Sequence, residues 1–82
     1  MSIKYLNVIE KSFELKKKDV NKIIKNENIE LENYNWDSVT VINLITIVSD
    51  KFKKNIQPEK LKKLKTFKNL DNFLIKLILK KK

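Results

Sequence analysis

Apolar residues recur at helical spacing in three separate stretches of this 82-residue chain, and this periodicity limits what the chain can fold into. Ser2, a common helix-capping residue, precedes the first stretch. The first apolar stripe consists of Ile3, Leu6, Ile9 and Phe13. The lysine run 16–18 is typical of a helix C-terminus, where positive charge meets the negative end of the helix dipole. Asp19 is then expected to cap only a short further turn that carries Val20, Ile23 and Ile24.

The second stretch begins after Asp37 and Ser38, both of which favour the N-cap position of a helix. Its predicted core face consists of Val41, Ile45, Val48 and Phe52, with Ile42 and Leu44 at the edges. Val39 and Ile47 fall outside that face, among the polar residues Thr40, Asn43, Thr46 and Asp50. The sequence therefore predicts that Val39, directly beside Ser38, is exposed to solvent.

The third stretch follows a short helical segment that starts at Pro58 and turns Leu61 and Leu64 inwards. Thr66 is expected to cap the last helix, whose buried stripe consists of Phe67, Leu70, Phe73, Leu74, Leu77 and Ile78. Residues 26–37 predict a long loop, pinned to the bundle by Ile29, Leu31, Tyr34 and Trp36. The fold class predicted is all-α, a small four-helix bundle of three main helices and one short one, in a single domain over residues 1–82.

Composition excludes most catalytic chemistry. The chain has no cysteine and no histidine, which removes disulfides, thiolate nucleophiles, the usual zinc ligands and the usual general base. Without glycine it has no glycine-rich phosphate loop. No apolar run reaches the roughly 20 residues that span a bilayer, and charges interrupt the N-terminus too early for a signal peptide. We therefore expect a cytoplasmic protein that is not an enzyme and binds no metal.

Charge is distributed unevenly along the chain. The formal net charge is +9, and every basic residue is a lysine. Residues 1–41 are neutral overall, whereas residues 42–82 carry twelve lysines and three acids. An AT-rich genome would explain the abundance of lysine, asparagine and isoleucine without any role for the charge. The alternative is a small basic module that binds nucleic acid or an anionic membrane surface.

The order of residues from Trp36 to Phe73 resembles the acyl carrier protein family. That family opens its second helix with Asp-Ser-Leu, and Asp37-Ser38-Val39 stands here. The family's later landmarks, in order, are matched by Phe52, Ile56, Leu61, Leu64, Thr66, Phe67, Leu70 and Phe73. Asn35-Trp36 replaces a glycine that usually comes shortly before the Asp-Ser pair. The best-known members are acidic on the second helix, whereas this helix is nearly neutral.

The resemblance implies that a phosphopantetheinyl transferase attaches 4'-phosphopantetheine covalently to Ser38, with Asp37 beside the attachment point. The thiol of that arm would carry an acyl or aminoacyl group as a thioester. Partners implied are the transferase, an acyl- or aminoacyl-loading enzyme and downstream transferases or synthases, acting on a monomeric carrier. The unusual charge points to a specialised biosynthetic pathway rather than housekeeping fatty acid synthesis.

Partner recognition is expected to use a locally acidic loop together with an apolar patch. The loop acids nearest to Ser38 in the sequence are Glu27, Glu30, Glu32 and Asp37. The apolar patch would consist of Val39 and Ile47. The alternative is that these acids only balance the lysines of the first half, Lys16, Lys17, Lys18, Lys22 and Lys25.

Overall fold

The computed structural model describes residues 3–79, and these are helical with no β-strand. The helices are α1 (Leu6–Phe13), α2 (Lys17–Lys25), α3 (Ser38–Phe52), α4 (Pro58–Lys62) and α5 (Phe67–Leu79). A 3₁₀ turn covers Leu31–Asn33 between α2 and α3. The all-α class predicted from the sequence is confirmed. No helix within residues 3–79 is long and apolar enough to cross a bilayer.

The first half of the chain holds one more helix than the sequence predicted. The turn expected at Asp19 is the nine-residue helix α2, so the lysine run 16–18 leads into a helix and does not end one. Helix α1 stops at Phe13 because Glu14 takes a left-handed conformation, with φ at 56°. Lys16 is the N-cap of α2, and its backbone N–H donates to the Asp19 carboxylate at 3.4 Å. Asp19 therefore places negative charge at the positive end of the α2 dipole.

Helix α1 begins at Leu6, later than predicted, and its N-terminus is capped from a distant part of the chain. The Ser2 cap lies outside the described residues. The Asp71 carboxylate of α5 accepts the backbone N–H of Lys4 at 3.0 Å and that of Tyr5 at 2.8 Å. Asp71 is only 5% exposed. Asp71, for which the sequence pattern predicted no role, therefore joins α5 to the start of α1.

The core lies between α1, α3 and α5, with single fully buried side chains from α2, from the segment between α2 and α3, and from α4. The side chains with no exposure at all are Ile9, Ile23, Leu31, Leu44, Val48, Leu61, Phe67, Leu70 and Leu74. Helices α1 and α3 are antiparallel neighbours, because the Tyr5 ring meets the Phe52 ring at 5.7 Å while the other end of α1 lies beside the start of α3. Pro58 and Thr66 begin α4 and α5 as predicted.

The buried face of α3 is turned relative to the predicted face. Leu44, predicted at the edge, is fully buried, and Thr40, predicted among solvent-facing residues, is 5% exposed. Ile42, predicted at the other edge, is 59% exposed. Ile47 is half-buried and packs against the core. One rotation of the helix explains all four differences, because α1 packs against the side of α3 that carries Thr40 and Asn43, where the Asn43 amide donates to the Ser12 carbonyl at 3.5 Å.

The segment between α2 and α3 is pinned to the bundle, as its apolar residues predicted. Leu31 is fully buried, and the Trp36 ring stacks on Phe13 with centroids 5.4 Å apart. The backbone of this segment also pairs with the chain leading into α5. The Leu31 N–H donates to the Lys65 carbonyl at 2.7 Å, and Glu30 and Thr66 form an isolated antiparallel bridge. The connection ending at Ser38 is therefore fixed at several points.

Candidate functional site at the start of helix α3

Ser38 is the first residue of the longest helix, and it is exposed. Asp37 is the N-cap, and its carboxylate accepts the backbone N–H of Thr40 at 3.0 Å. This hydrogen bond holds the pKa of the Asp37 carboxyl below its ordinary value of 3.8. The cap fixes the backbone at Ser38, while the hydroxyl remains at the surface.

The residues next to Ser38 form a small polar hollow. A cavity of about 230 Å³ lies between the end of α1 and the start of α3, lined in part by Glu14, Asn35, Asp37, Val39 and Asn43. Its lining includes two acids and no lysine. The hollow between α1 and the start of α3 therefore carries a net negative charge.

Glu14 is a member of this site that sequence reasoning missed. It is distant from Ser38 in sequence, and the run of lysines after it was interpreted as part of the same helix. Its left-handed backbone ends α1 beside the α3 N-terminus, and Glu14 lines the cavity there. The signal that could have found it is topological. In two antiparallel helices, the last turn of the first lies against the first turn of the second.

Exposed apolar side chains also lie close to Ser38 on α3, and one of them, Val39, lines the cavity. Val39 is 66% exposed, as predicted, and Ile42 is 59% exposed. Ile47, the second member predicted for this patch, is half-buried, so Ile42 offers the larger apolar surface. Val39 and Ile42 lie three residues apart, hence on one face of α3.

The predicted acidic loop is folded against α5. Glu30 and Glu32 are exposed and Glu27 is half-buried. The Lys68 N–H donates to the Glu27 carbonyl at 2.8 Å, so the acids lie near the lysines that flank the start of α5. Residues 3–79 contain no group of three or more side chains from histidine, cysteine, aspartate and glutamate placed to hold a metal.

Comparison with protein-family models, with curated proteins and with solved structures finds no match for this chain. The geometry at Ser38 and the motif around it are therefore the grounds on which a function can be argued.

Proposed function

We propose that this protein is an acyl carrier whose phosphopantetheine arm is attached to Ser38. The observation that carries the proposal is the exposure of Ser38 as the first residue of α3, directly after an N-cap aspartate and before an exposed Val39. The order of residues that resembles the carrier family supports it. The function itself needs no cavity for chemistry on the carrier, which suits a domain of this size.

The residues at Ser38 fit a phosphodiester attached through the serine. The first turn of a helix presents N–H groups without intrahelical partners, and the helix dipole adds positive potential there. The Asp37 carboxylate accepts the Thr40 N–H and also interacts with the Val39 N–H, so the Ser38 N–H is the backbone group of this turn that would face the phosphate. The Asp37 and Glu14 charges oppose an anion, so the fit depends on the backbone groups and on the outward direction of the serine.

In the reaction the Ser38 Oγ forms a bond to the phosphorus of coenzyme A that carries the pantetheine. The bond from that phosphorus to the nucleotide portion breaks, and the nucleotide leaves. The transferase has to supply the base that takes the hydroxyl proton, because Asp37 is committed as a cap and the chain has no histidine. The attached arm ends in a thiol, which holds the cargo as a thioester. A flexible tether of this kind raises the effective concentration of the cargo at each partner enzyme.

The test is incubation of the purified protein with coenzyme A, Mg²⁺ and a phosphopantetheinyl transferase of broad specificity, followed by intact-mass measurement. We expect wild type to gain the mass of one phosphopantetheine and Ser38→Ala to gain nothing. Ser49→Ala, at a half-exposed serine near the other end of the same helix, is the matched control and should be modified as wild type is. No gain in mass in wild type, or an undiminished gain in mass in Ser38→Ala, would contradict the proposal.

A further inference from the structure

A groove runs along the junction of α4 and α5, well away from Ser38. Two cavities, of about 450 Å³ and 370 Å³, lie on this face and share Phe73 and Lys76 in their lining. The first reaches towards the end of α3, and the second reaches along α4 to Lys63 and Leu64. Phe73 and Lys76 border both cavities, so the two hollows are adjacent on this face. We call this pair of hollows the α4–α5 groove.

The α4–α5 groove is lined by half-buried apolar side chains, here called its floor, and by exposed lysines, here called its rim. The neutral polar residues Asn55, Gln57, Asn69 and Asn72 also line it. Phe73, Leu77 and Leu64 are half-buried and pack against the core. Lys60, Lys63 and Lys76 are exposed and line the same two cavities.

No acidic side chain lines either cavity, so the positive charge of the rim is not neutralised within the groove. Asp71 is the acid of α5, and its carboxylate is occupied by the backbone of Lys4 and Tyr5. Glu59 lies on α4 outside the lining. The lining therefore carries a net positive charge, which attracts an anionic partner.

The shape of the groove distinguishes among the anionic partners that lysines attract. A membrane surface takes up apolar side chains that project from a protein, whereas Phe73 and Leu77 are half-buried and line a cavity. Single-stranded nucleic acid stacks on exposed aromatic rings, and duplex readout favours arginine. The chain has no arginine, and Phe73, the aromatic ring that lines the groove, is half-buried. An amphipathic helix that lays its apolar face into a groove fits this geometry, with its carboxylates towards the lysines.

We infer that the α4–α5 groove is a docking site for an acidic amphipathic segment of a partner protein. Large apolar side chains of that segment contact Phe73 and Leu77, and its carboxylates face Lys60, Lys63 and Lys76. The site does not depend on Ser38 or on the proposed arm. It would hold a partner on the carrier while leaving the α3 N-terminus uncovered.

The probe for a binding test is a designed helical peptide with leucines at every third and fourth position and glutamates beside them. A second peptide has the same leucines with glutamine in place of glutamate. Binding is followed by fluorescence anisotropy, and the site is mapped by ¹⁵N-resolved NMR. We expect the glutamate peptide to bind and to shift the amides of Lys60, Phe73, Lys76 and Leu77, and the glutamine peptide to bind about tenfold more weakly.

The variant Lys60→Gln/Lys63→Gln/Lys76→Gln should lower the affinity for the glutamate peptide by a similar factor of about ten. The control Lys11→Gln/Lys17→Gln/Lys22→Gln removes the same charge from exposed positions on α1 and α2 and should bind as wild type does. Ser38→Ala should also bind normally, which separates this site from the proposed modification. Equal weakening in both triple variants, or shifts outside the groove, would overturn the inference. So would groove-dependent binding of a DNA duplex or of phosphatidylserine vesicles without binding of the peptide.

Discussion

The α3 N-terminus and the α4–α5 groove offer opposite chemistry to a partner. Around Ser38 the hollow is lined by Glu14 and Asp37 without a lysine. In the α4–α5 groove three lysines surround an apolar floor without an acid. The net charge of +9 is therefore not spread evenly over the surface, and a description by overall charge alone would miss the negative region at the candidate modification site.

This contrast has a consequence for encounter with other proteins. A partner with a basic patch is attracted to the α3 N-terminus, and one with an acidic segment is attracted to the groove. Two regions of opposite sign on one small domain orient an approaching partner before contact, because each region repels what the other attracts. The groove could thus bind one protein while Ser38 is presented to another.

The difference in charge between the α3 N-terminus and the α4–α5 groove depends first on Asp71. This acid lies on α5, but its carboxylate binds the start of α1 and does not line the groove. We expect Asp71→Ala to lower the free energy of unfolding by roughly 2–4 kcal/mol, because two N–H groups at the α1 N-terminus lose a charged, buried acceptor. Urea denaturation at neutral pH measures this. Asp71→Asn keeps one acceptor oxygen and should lose less.

The same variants test whether the α4–α5 groove carries a positive charge that Asp71 does not reduce. If Asp71 faces α1 as described, the folded Asp71→Asn protein binds the glutamate peptide with unchanged affinity. A clear gain in affinity would mean that the Asp71 charge acts on the groove. A loss of stability under about 1 kcal/mol in Asp71→Ala would contradict its capping role.

Local sequence signals predicted where the helices of the second half begin, although not which face of α3 is buried. Asp37, Pro58 and Thr66 mark the starts of α3, α4 and α5, because capping depends on a few neighbouring residues. The exposure of Val39 followed from the helical wheel. The motif containing Ser38 lies at one of these helix starts, so its position in the structure could be foreseen.

The remaining features depend on tertiary contacts that sequence periodicity does not contain. The Asp71 carboxylate caps Lys4 and Tyr5, which lie 67 and 66 positions before it in the sequence. The rotation of α3, which exposes Ile42 and buries Thr40, is set by where α1 packs. Helix α2 was underestimated because a lysine run suits a helix C-terminus, while the left-handed turn at Glu14 that ends α1 has no glycine to mark it.

A smaller effect is expected at the apolar patch beside Ser38. Replacing both exposed residues in Val39→Ser/Ile42→Ser removes apolar contact for a partner at little expense to folding. We expect the transferase to lose about tenfold in kcat/KM, on the basis of the apolar area removed. The control is Thr46→Ala, an exposed position further along α3, which should be modified at the wild-type rate.

The loop acids Glu27, Glu30 and Glu32 are the second group predicted to help a partner dock near Ser38. Glu27→Gln/Glu30→Gln/Glu32→Gln should reduce kcat/KM about threefold at low salt and less at high salt, because screened charges act mainly on association. If neither this variant nor the serine pair changes the rate, docking at the α3 N-terminus through these residues is wrong. The α4–α5 groove would then be the main recognition surface.

The smallest effect concerns the pH dependence of the Asp37 cap. The hydrogen bond from the Thr40 N–H keeps the pKa of Asp37 in the folded protein below its ordinary value. The folded state therefore binds its proton less readily than the unfolded chain does, and the cap stabilises the fold above the ordinary pKa. That stabilisation is lost as the pH falls through the lowered pKa.

We expect Asp37→Ala to be less stable than wild type at pH 7 and the difference to shrink towards about pH 3. Asp37→Asn is the matched control, because asparagine caps a helix comparably but does not titrate. It should match wild type near neutrality and exceed it in acid. A gap between Asp37→Ala and wild type that stays constant from pH 7 to about pH 3 would show that the carboxylate charge contributes nothing to the cap.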